Sequence, residues 1–315
     1  MSRETKILSP RTGDPAGSLS RRAFLQGGTL LLAGSALRPE HLLAATEARP
    51  TLRLGLVTDL HYADKAAAGA RHYRESLTKF AEAARVFGQE KSDLLVALGD
   101  LIDSAPSLDA EKECLRQVVS RFARAAGKRH FVLGNHCVEN LTKPEFLAIA
   151  GQERSYYSFD AAQCHFVVLD ACFTSDGAPY GRKNFKWADA KIPPVELDWL
   201  QADLRRAPYK SIVFAHQCLD VIPPFGVKNG AEVRNVLEQS GRVLAVVQGH
   251  YHYGGYQEVR GIHYCTLSAV IEGTGPANNA YAVMDLLPGD VVRITGFRKQ
   301  KSYRWDRPDR PADRS

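Results

Sequence analysis

Five short polar motifs carry the residue types that bind hard and borderline cations. They are Asp59-Leu60-His61, Gly99-Asp100 with Asp103 close behind, Gly134-Asn135-His136, the single His216, and Gly249-His250-Tyr251-His252. Carboxylate and imidazole donors suit Mn, Fe and Zn ions. In Asp-x-His and His-x-His the two functional side chains are spaced so that both can reach one site from a single loop. A carboxylate at Asp100 has two oxygens and can bridge two cations. Gly99, Gly134 and Gly249 let the chain turn sharply where side chains must crowd together. Singly, each motif has an ordinary explanation. A lone His is usually a core or surface residue, an Asp after a strand is usually a cap or turn former, and Gly-Asn is a common turn. Five of them in order, each at the same place relative to an apolar run, form a pattern that those explanations do not give.

The elements that must position these residues are short runs rich in Val, Leu and Ile. Residues 53–58, 93–98, 129–133, 165–169, 211–215 and 243–248 have strand length and strand composition. Asp59-x-His61 follows the first, Gly99-Asp100 the second and Gly134-Asn135-His136 the third. His216 follows the run ending at Ala215, and Gly249-His250-x-His252 follows the next. In open α/β sheets ligands bind outside the carboxyl ends of strands, so the five motifs are expected to converge at one sheet edge. Helical periodicity lies between several runs. Over 71–88, Tyr73, Leu77, Phe80, Ala84 and Phe87 recur at steps of three and four, and Leu197, Leu200 and Leu204 do so before Pro208. Residues 262–267, 280–287 and 290–297 read as further strands, with Pro288-Gly289 as a turn between the last two. The pattern predicts an α/β fold with mixed β-sheets in one domain spanning 49–300.

The ends of the chain read differently. Ser20-Arg21-Arg22-Ala23-Phe24-Leu25-Gln26 followed by an apolar stretch to Leu37 reads as a twin-arginine signal peptide over 1–48. The apolar stretch is too short to span a bilayer, which needs about 20 residues, so no stable membrane span is expected. The implied partner is the twin-arginine export machinery, and the implied location is periplasmic or extracellular. Residues 301–315 read as a basic, flexible tail. The net charge of +6 resides at the two ends, leaving 49–297 neutral. A nucleic-acid binder would put its basic excess on the folded body, so nucleic acid is not an expected partner. Six cysteines, four in or next to apolar runs, are read mostly as buried free thiols.

The ordered set Asp59-x-His61, Gly99-Asp100, Gly134-Asn135-His136, His216 and Gly249-His250-x-His252 resembles the calcineurin-like metallophosphoesterase superfamily over residues 52–297. The resemblance implies an αββα four-layer sandwich and two metal ions. Asp59, His61, Asp100 and His252 would hold the first metal. Asp100, Asn135, His216 and His250 would hold the second, with Asp100 as the bridge and His136 beside the leaving group. Tyr62-Ala63-Asp64, Tyr73-Arg74-Glu75-Ser76-Leu77, Gly254-Gly255-Tyr256, Ala269-Val270-Ile271-Glu272-Gly273 and Asn278-Asn279-Ala280-Tyr281 are similar to the Mn-dependent ADP-ribose/CDP-alcohol diphosphatase subgroup. Two positions depart from the family. The acid usual after Asn-His is Cys137 here, which orients His136 poorly. His61 stands where the subgroup often has Gln.

These readings predict a two-metal hydrolase of phosphate esters, a phosphodiesterase or nucleotide pyrophosphatase using a metal-bridging hydroxide. Two cations about 3.5–4 Å apart would stabilise the attacking and leaving oxygens of an in-line displacement. The partner is a small phosphate-ester or nucleotide substrate, and the metals are Mn, Fe or Zn. Alternatives are a phosphomonoesterase (acid phosphatase or nucleotidase) and a non-catalytic metal-binding protein. Catalytic roles are expected for His136 and Asp100. Tyr62, Arg74, Tyr251 and Tyr256, lying near the motifs, are candidate substrate contacts.

Overall fold

A computed structural model describes residues 48–306. The twin-arginine motif and residues 307–315 lie outside the described residues. One mixed sheet contains β1 (Leu52–Val57), β2 (Leu94–Ala97), β3 (Arg129–Phe131), β10 (Ala280–Leu287), β11 (Val291–Arg298) and β12 (Tyr303–Trp305), ordered β12-β11-β10-β1-β2-β3. The other contains β4 (Tyr157–Ala161), β5 (Cys164–Val168), β6 (Lys210–Phe214), β7 (Val243–Gln248), β8 (Tyr253–Val259) and β9 (Ile262–Ser268), ordered β4-β5-β6-β7-β9-β8. β1, β2 and β3 run parallel, and so do β5, β6, β7 and β9.

Alternation along the strands makes the layers. Leu54, Leu56 and Val96 from the first sheet meet Phe166, Phe214 and Val247 from the second, forming the core between the sheets. The opposite face of the first sheet, with Val57 and Leu95, packs on α1 (Ser76–Gln89), α2 (Leu108–Ala125) and α3 (Lys143–Ala150). Val213 and Val246 of the second sheet pack on α4 (Pro194–Arg206) and α5 (Gly230–Ser240). The predicted αββα sandwich is thus present. Its central parallel strands, such as β2 and β5, are buried on both faces, which is why they read as continuous apolar runs. Local chemistry starts the helices. Ser107 caps α2 by accepting from the Ala110 amide, and Thr142 with Glu145 forms a capping box on α3.

Two expectations change. The predicted helix over 71–88 begins only at Ser76, because residues 73–75 form a 3-10 turn that buries Tyr73. The expected flexible tail from 301 instead starts with β12, where Ile294 pairs with Tyr303 and Val292 with Trp305. Trp305 is buried in the core between the sheets, so the apolar alternation outweighs the basic composition at this edge. All six cysteines are free and buried, in line with the sequence reading. Among the described residues no helix is long and apolar enough to cross a membrane.

Candidate metal centre

The parallel strands of both sheets end at one edge of the sandwich. β1, β2 and β3 deliver Asp59 and His61, Asp100 and Asp103, and Asn135 and His136. β6 and β7 deliver His216, His250 and His252. β9 ends at the same edge and delivers Glu272. The backbone there is unusual. Asp59, His61, Asp100 and His250 have φ of 53°, 45°, 47° and 68°, in the left-handed region. Each such residue costs about 1–3 kcal/mol, a strain that clusters at functional sites. Surrounding hydrogen bonds hold it in place: the amides of Asp59 and His61 donate to the carbonyls of Gly99 and Asp100, and the Ile271 amide donates to the Asp59 carbonyl.

The glycines serve mostly as gaps. Only Gly99 of the three has positive φ, at 102°, and a Cβ there would lie 2.3 Å from Nδ1 of His216. At Gly134 a Cβ would lie 2.2 Å from Oδ1 of Asp100. Close approach, rather than a turn, requires glycine at 134.

Several buried polar atoms at this edge lack a hydrogen-bond partner: Oδ1 of Asp59, Nε2 of His61, both side-chain polar atoms of Asn135, Nε2 of His216 and Nε2 of His250. Orphaned buried polar groups are rare in folded proteins, and so many in one place fit the donor set of a metal site. The donors form adjacent sets. Asp59, His61 and His252 offer ligand atoms within 4.8 Å of one another, and so do Asp100, His216 and His250. Oδ2 of Asp100 lies 3.5 Å from Nε2 of His61 and 3.1 Å from Nε2 of His216, between the two sets. Nε2 of His252 is 3.4 Å from Oδ1 of Asp59. These all-oxygen-and-nitrogen sets fit a pair of divalent cations.

A second ring of groups orients the imidazoles. Nδ1 of His61 is 2.9 Å from Oδ2 of Asp103, Nδ1 of His216 is 2.7 Å from the Leu98 carbonyl, and Nδ1 of His252 is 2.6 Å from Oε1 of Glu272. Such partners fix the ring so that Nε2 faces a metal. The Glu272 loop is held in turn by buried Lys79, whose Nζ donates to the carbonyls of Val270, Glu272 and Gly273. Asp103 was noted in the sequence only as a neighbour of Asp100, and the role of Glu272 was missed. The available signal was its position just after strand 262–267, the rule that found the other motifs.

The electrostatics follow from burying unlike charges together. Burial alone would raise the carboxyl pKa of Asp59, but His252 and His61 hold it well below the usual range. Asp100 and Asp103 are likewise held low against burial, Asp100 by His216 and His136, Asp103 by His61 and His136. Burial would lower His216 and His252, yet Asp100 raises His216, and Asp59 and Glu272 raise His252, both to about 9. His250, buried beside His216, drops to about 3.

The donors open into a cleft of about 470 Å³. His61, Asp100, Asn135, His136, His250, His252 and Tyr251 line it. Tyr62, Arg74 and Tyr256 do not. Tyr62 is buried and donates to Gln117, exposed Arg74 pairs with Asp64 at 2.6 Å, and Tyr256 stacks on Tyr303. Nearness in sequence misled here, since β8 carries Tyr256 away from the site. The cleft instead gains Arg71 and an aromatic wall. Trp187 packs on Phe225, Phe225 on Tyr251, and Tyr251 on Tyr253, at ring separations of 4.8–5.6 Å. A larger hollow of about 720 Å³ between β3 and β4 contains none of the clustered donors.

The family model of the calcineurin-like phosphoesterases matches residues 52–254. The chain belongs to this family. Similar curated proteins are the manganese-dependent ADP-ribose/CDP-alcohol diphosphatases of Oryza sativa (23% identical, covering 80% of this chain and 94% of the relative) and Danio rerio (27%, 77% and 94%). Among solved structures, a dimetal phosphatase from Danio rerio superposes with a TM-score of 0.73 at 23% identity, covering 82% of this chain and 100% of that one. A purple acid phosphatase from yellow lupin superposes with a TM-score of 0.53 at 13% identity, covering 81% and 54%. The phosphoesterase assignment covers every strand end that carries the clustered donors, from Asp59 to His252.

Proposed function

We propose that this phosphoesterase hydrolyses the diester or pyrophosphate bond of a small nucleotide-linked substrate with two divalent cations, manganese being the first choice. Asp59, His61, Asp100 and His252 would hold one cation, and Asp100, Asn135, His216 and His250 the other. Bound there, the pair would polarise the phosphoryl oxygens and activate a water for in-line attack. Asp100 would be shared between the two; its Oδ1 accepts from the His136 amide at 2.8 Å, and its Oδ2 stands between His61 and His216. His136 would stand beside the leaving oxygen and protonate it as the bond to phosphorus breaks.

The observation that carries the substrate class is the aromatic wall next to the cluster of unpartnered donors. A base has a π-face that stacks on such side chains, whereas a small monoester has nothing to place there. Exposed Trp187 and Tyr253 are suited to this, and Arg71 across the cleft is suited to a second phosphate. The names of the curated relatives agree with this class. The test is hydrolysis of ADP-ribose, a CDP-alcohol and an aryl monoester by Mn-loaded protein. Faster turnover of the first two supports the reading, and exclusive monoesterase activity would replace it with a phosphatase.

We further infer export of the folded protein through the twin-arginine route, from Arg21-Arg22-Ala23-Phe24-Leu25 and the apolar stretch to Leu37. A metal site loaded before export suits that route. Arg21→Lys with Arg22→Lys should strand the protein inside the cell, and unchanged secretion would refute it.

A further inference from the structure

His136 borders the cleft, yet its Nδ1 edge is turned inward and buried. Nδ1 has no formed hydrogen bond; its nearest carboxylate oxygens are Oε2 of Glu139 at 3.3 Å and Oδ2 of Asp103 at 3.6 Å. Asp103 is already engaged, with His61 at 2.9 Å and Lys65 at 2.7 Å. The residue after His136 gives no help. Cys137 is fully buried, its sulfur accepts from the Leu101 amide, and burial pushes its thiol up to about 12. The reason is the local backbone. His136–Val138 form a 3-10 turn, in which side chains at i and i+3 eclipse while the next residue points elsewhere. Glu139, three residues on, therefore stands beside the imidazole.

We propose that Glu139 is the positioning residue for His136, accepting from its Nδ1–H and so directing the opposite ring nitrogen to the leaving oxygen. The inference rests on the hydrolytic reading above. In the reaction the phosphorus–oxygen bond breaks, the leaving oxygen takes the proton from Nε2, and the other proton stays on Nδ1 of His136, facing the Glu139 carboxylate. A carboxylate in this place orients the ring without itself exchanging a proton. The role is specific in its consequences: a leaving group that is stable as an anion needs no proton, and an alkoxide does.

The experiment compares Glu139→Ala and Glu139→Gln with the wild type on two diesters, one releasing 4-nitrophenolate and one releasing an aliphatic alcohol. General acid catalysis contributes about 10²–10⁴-fold. Losing its orientation should cost about tenfold or more in kcat on the alcohol-releasing substrate, and less than about twofold on the nitrophenyl ester. The Gln variant, which keeps an acceptor, should recover part of the loss. Both variants should keep two metals per chain. Equal losses on the two substrates, or loss of metal, would overturn the assignment. Nitrogen-15 spectra of histidine-labelled, Zn-loaded protein supply a reading independent of turnover. The Nδ1 proton of His136 should be protected in the wild type and exchange faster in Glu139→Ala; an unchanged signal would also overturn it. A wild type inactive on both esters would refute the hydrolytic reading, while these spectra would still decide the orientation.

Discussion

Replacing Glu272 by Gln removes one charge behind one ligand and leaves the donor set intact. Oε1 of Glu272 is 2.6 Å from Nδ1 of His252, a charge-assisted contact, and Nε2 of that ring faces the unpartnered oxygen of Asp59. Loss of such a partner typically weakens metal binding about 10- to 100-fold. A second effect opposes it at neutral pH. Burial would lower the pKa of His252, but Asp59 and Glu272 raise it to about 9. At pH 7 a cation must displace that proton, and the competition fades as pH rises toward 9. Without Glu272 the proton is held less tightly, which returns part of the lost affinity at low pH only. The variant's deficit should therefore be small near pH 6.5 and widen toward the full factor near pH 8.5. Chelator competition for Mn at the two pH values, on protein shown to be folded by circular dichroism, reads it directly. A deficit that does not change with pH, or that shrinks as pH rises, would show that Glu272 does not act through the charge on His252.

Two further perturbations probe different parts of the site. Gly134→Ala puts a methyl 2.2 Å from Oδ1 of Asp100, so metal content should fall sharply while the fold survives; a variant with full metal loading would show that the loop yields. Trp187→Ala should raise KM for ADP-ribose about tenfold, as loss of a stacking contact of about 1–3 kcal/mol implies, with kcat for an aryl diester unchanged; equal KM values would remove Trp187 from the substrate site.

The site was legible in the sequence to the extent that it obeys one rule. Residues at the carboxyl ends of parallel strands share an edge, and the central strands are apolar on both faces, so runs such as 243–248 and the motifs behind them could be read directly. Two edge strands, β8 and β12, could not. β8 reads Tyr-Gly-Gly-Tyr-Gln-Glu-Val and β12 is three residues amid basic ones, because each has a neighbour on one side only. The left-handed backbone at Asp59, His61, Asp100 and His250 also has no composition signal, since it is imposed by bonds to distant loops. Substrate contacts were read poorly for a related reason. Trp187 comes from a long connection far from any motif and Phe225 from the long connection beyond His216, while Tyr256 is near a motif only along the chain. The acid beside His136 was sought one residue away, and a 3-10 turn brought it from three.

In the proposed reaction two cations, held by Asp59, His61, Asp100, Asn135, His216, His250 and His252, act together on a phosphate ester. The decisive measurement titrates metal-free protein with Mn and follows bound metal per chain and diester turnover on the same samples. Activity should appear and saturate as the second equivalent binds. Full turnover at one metal per chain, or none at two, would contradict it.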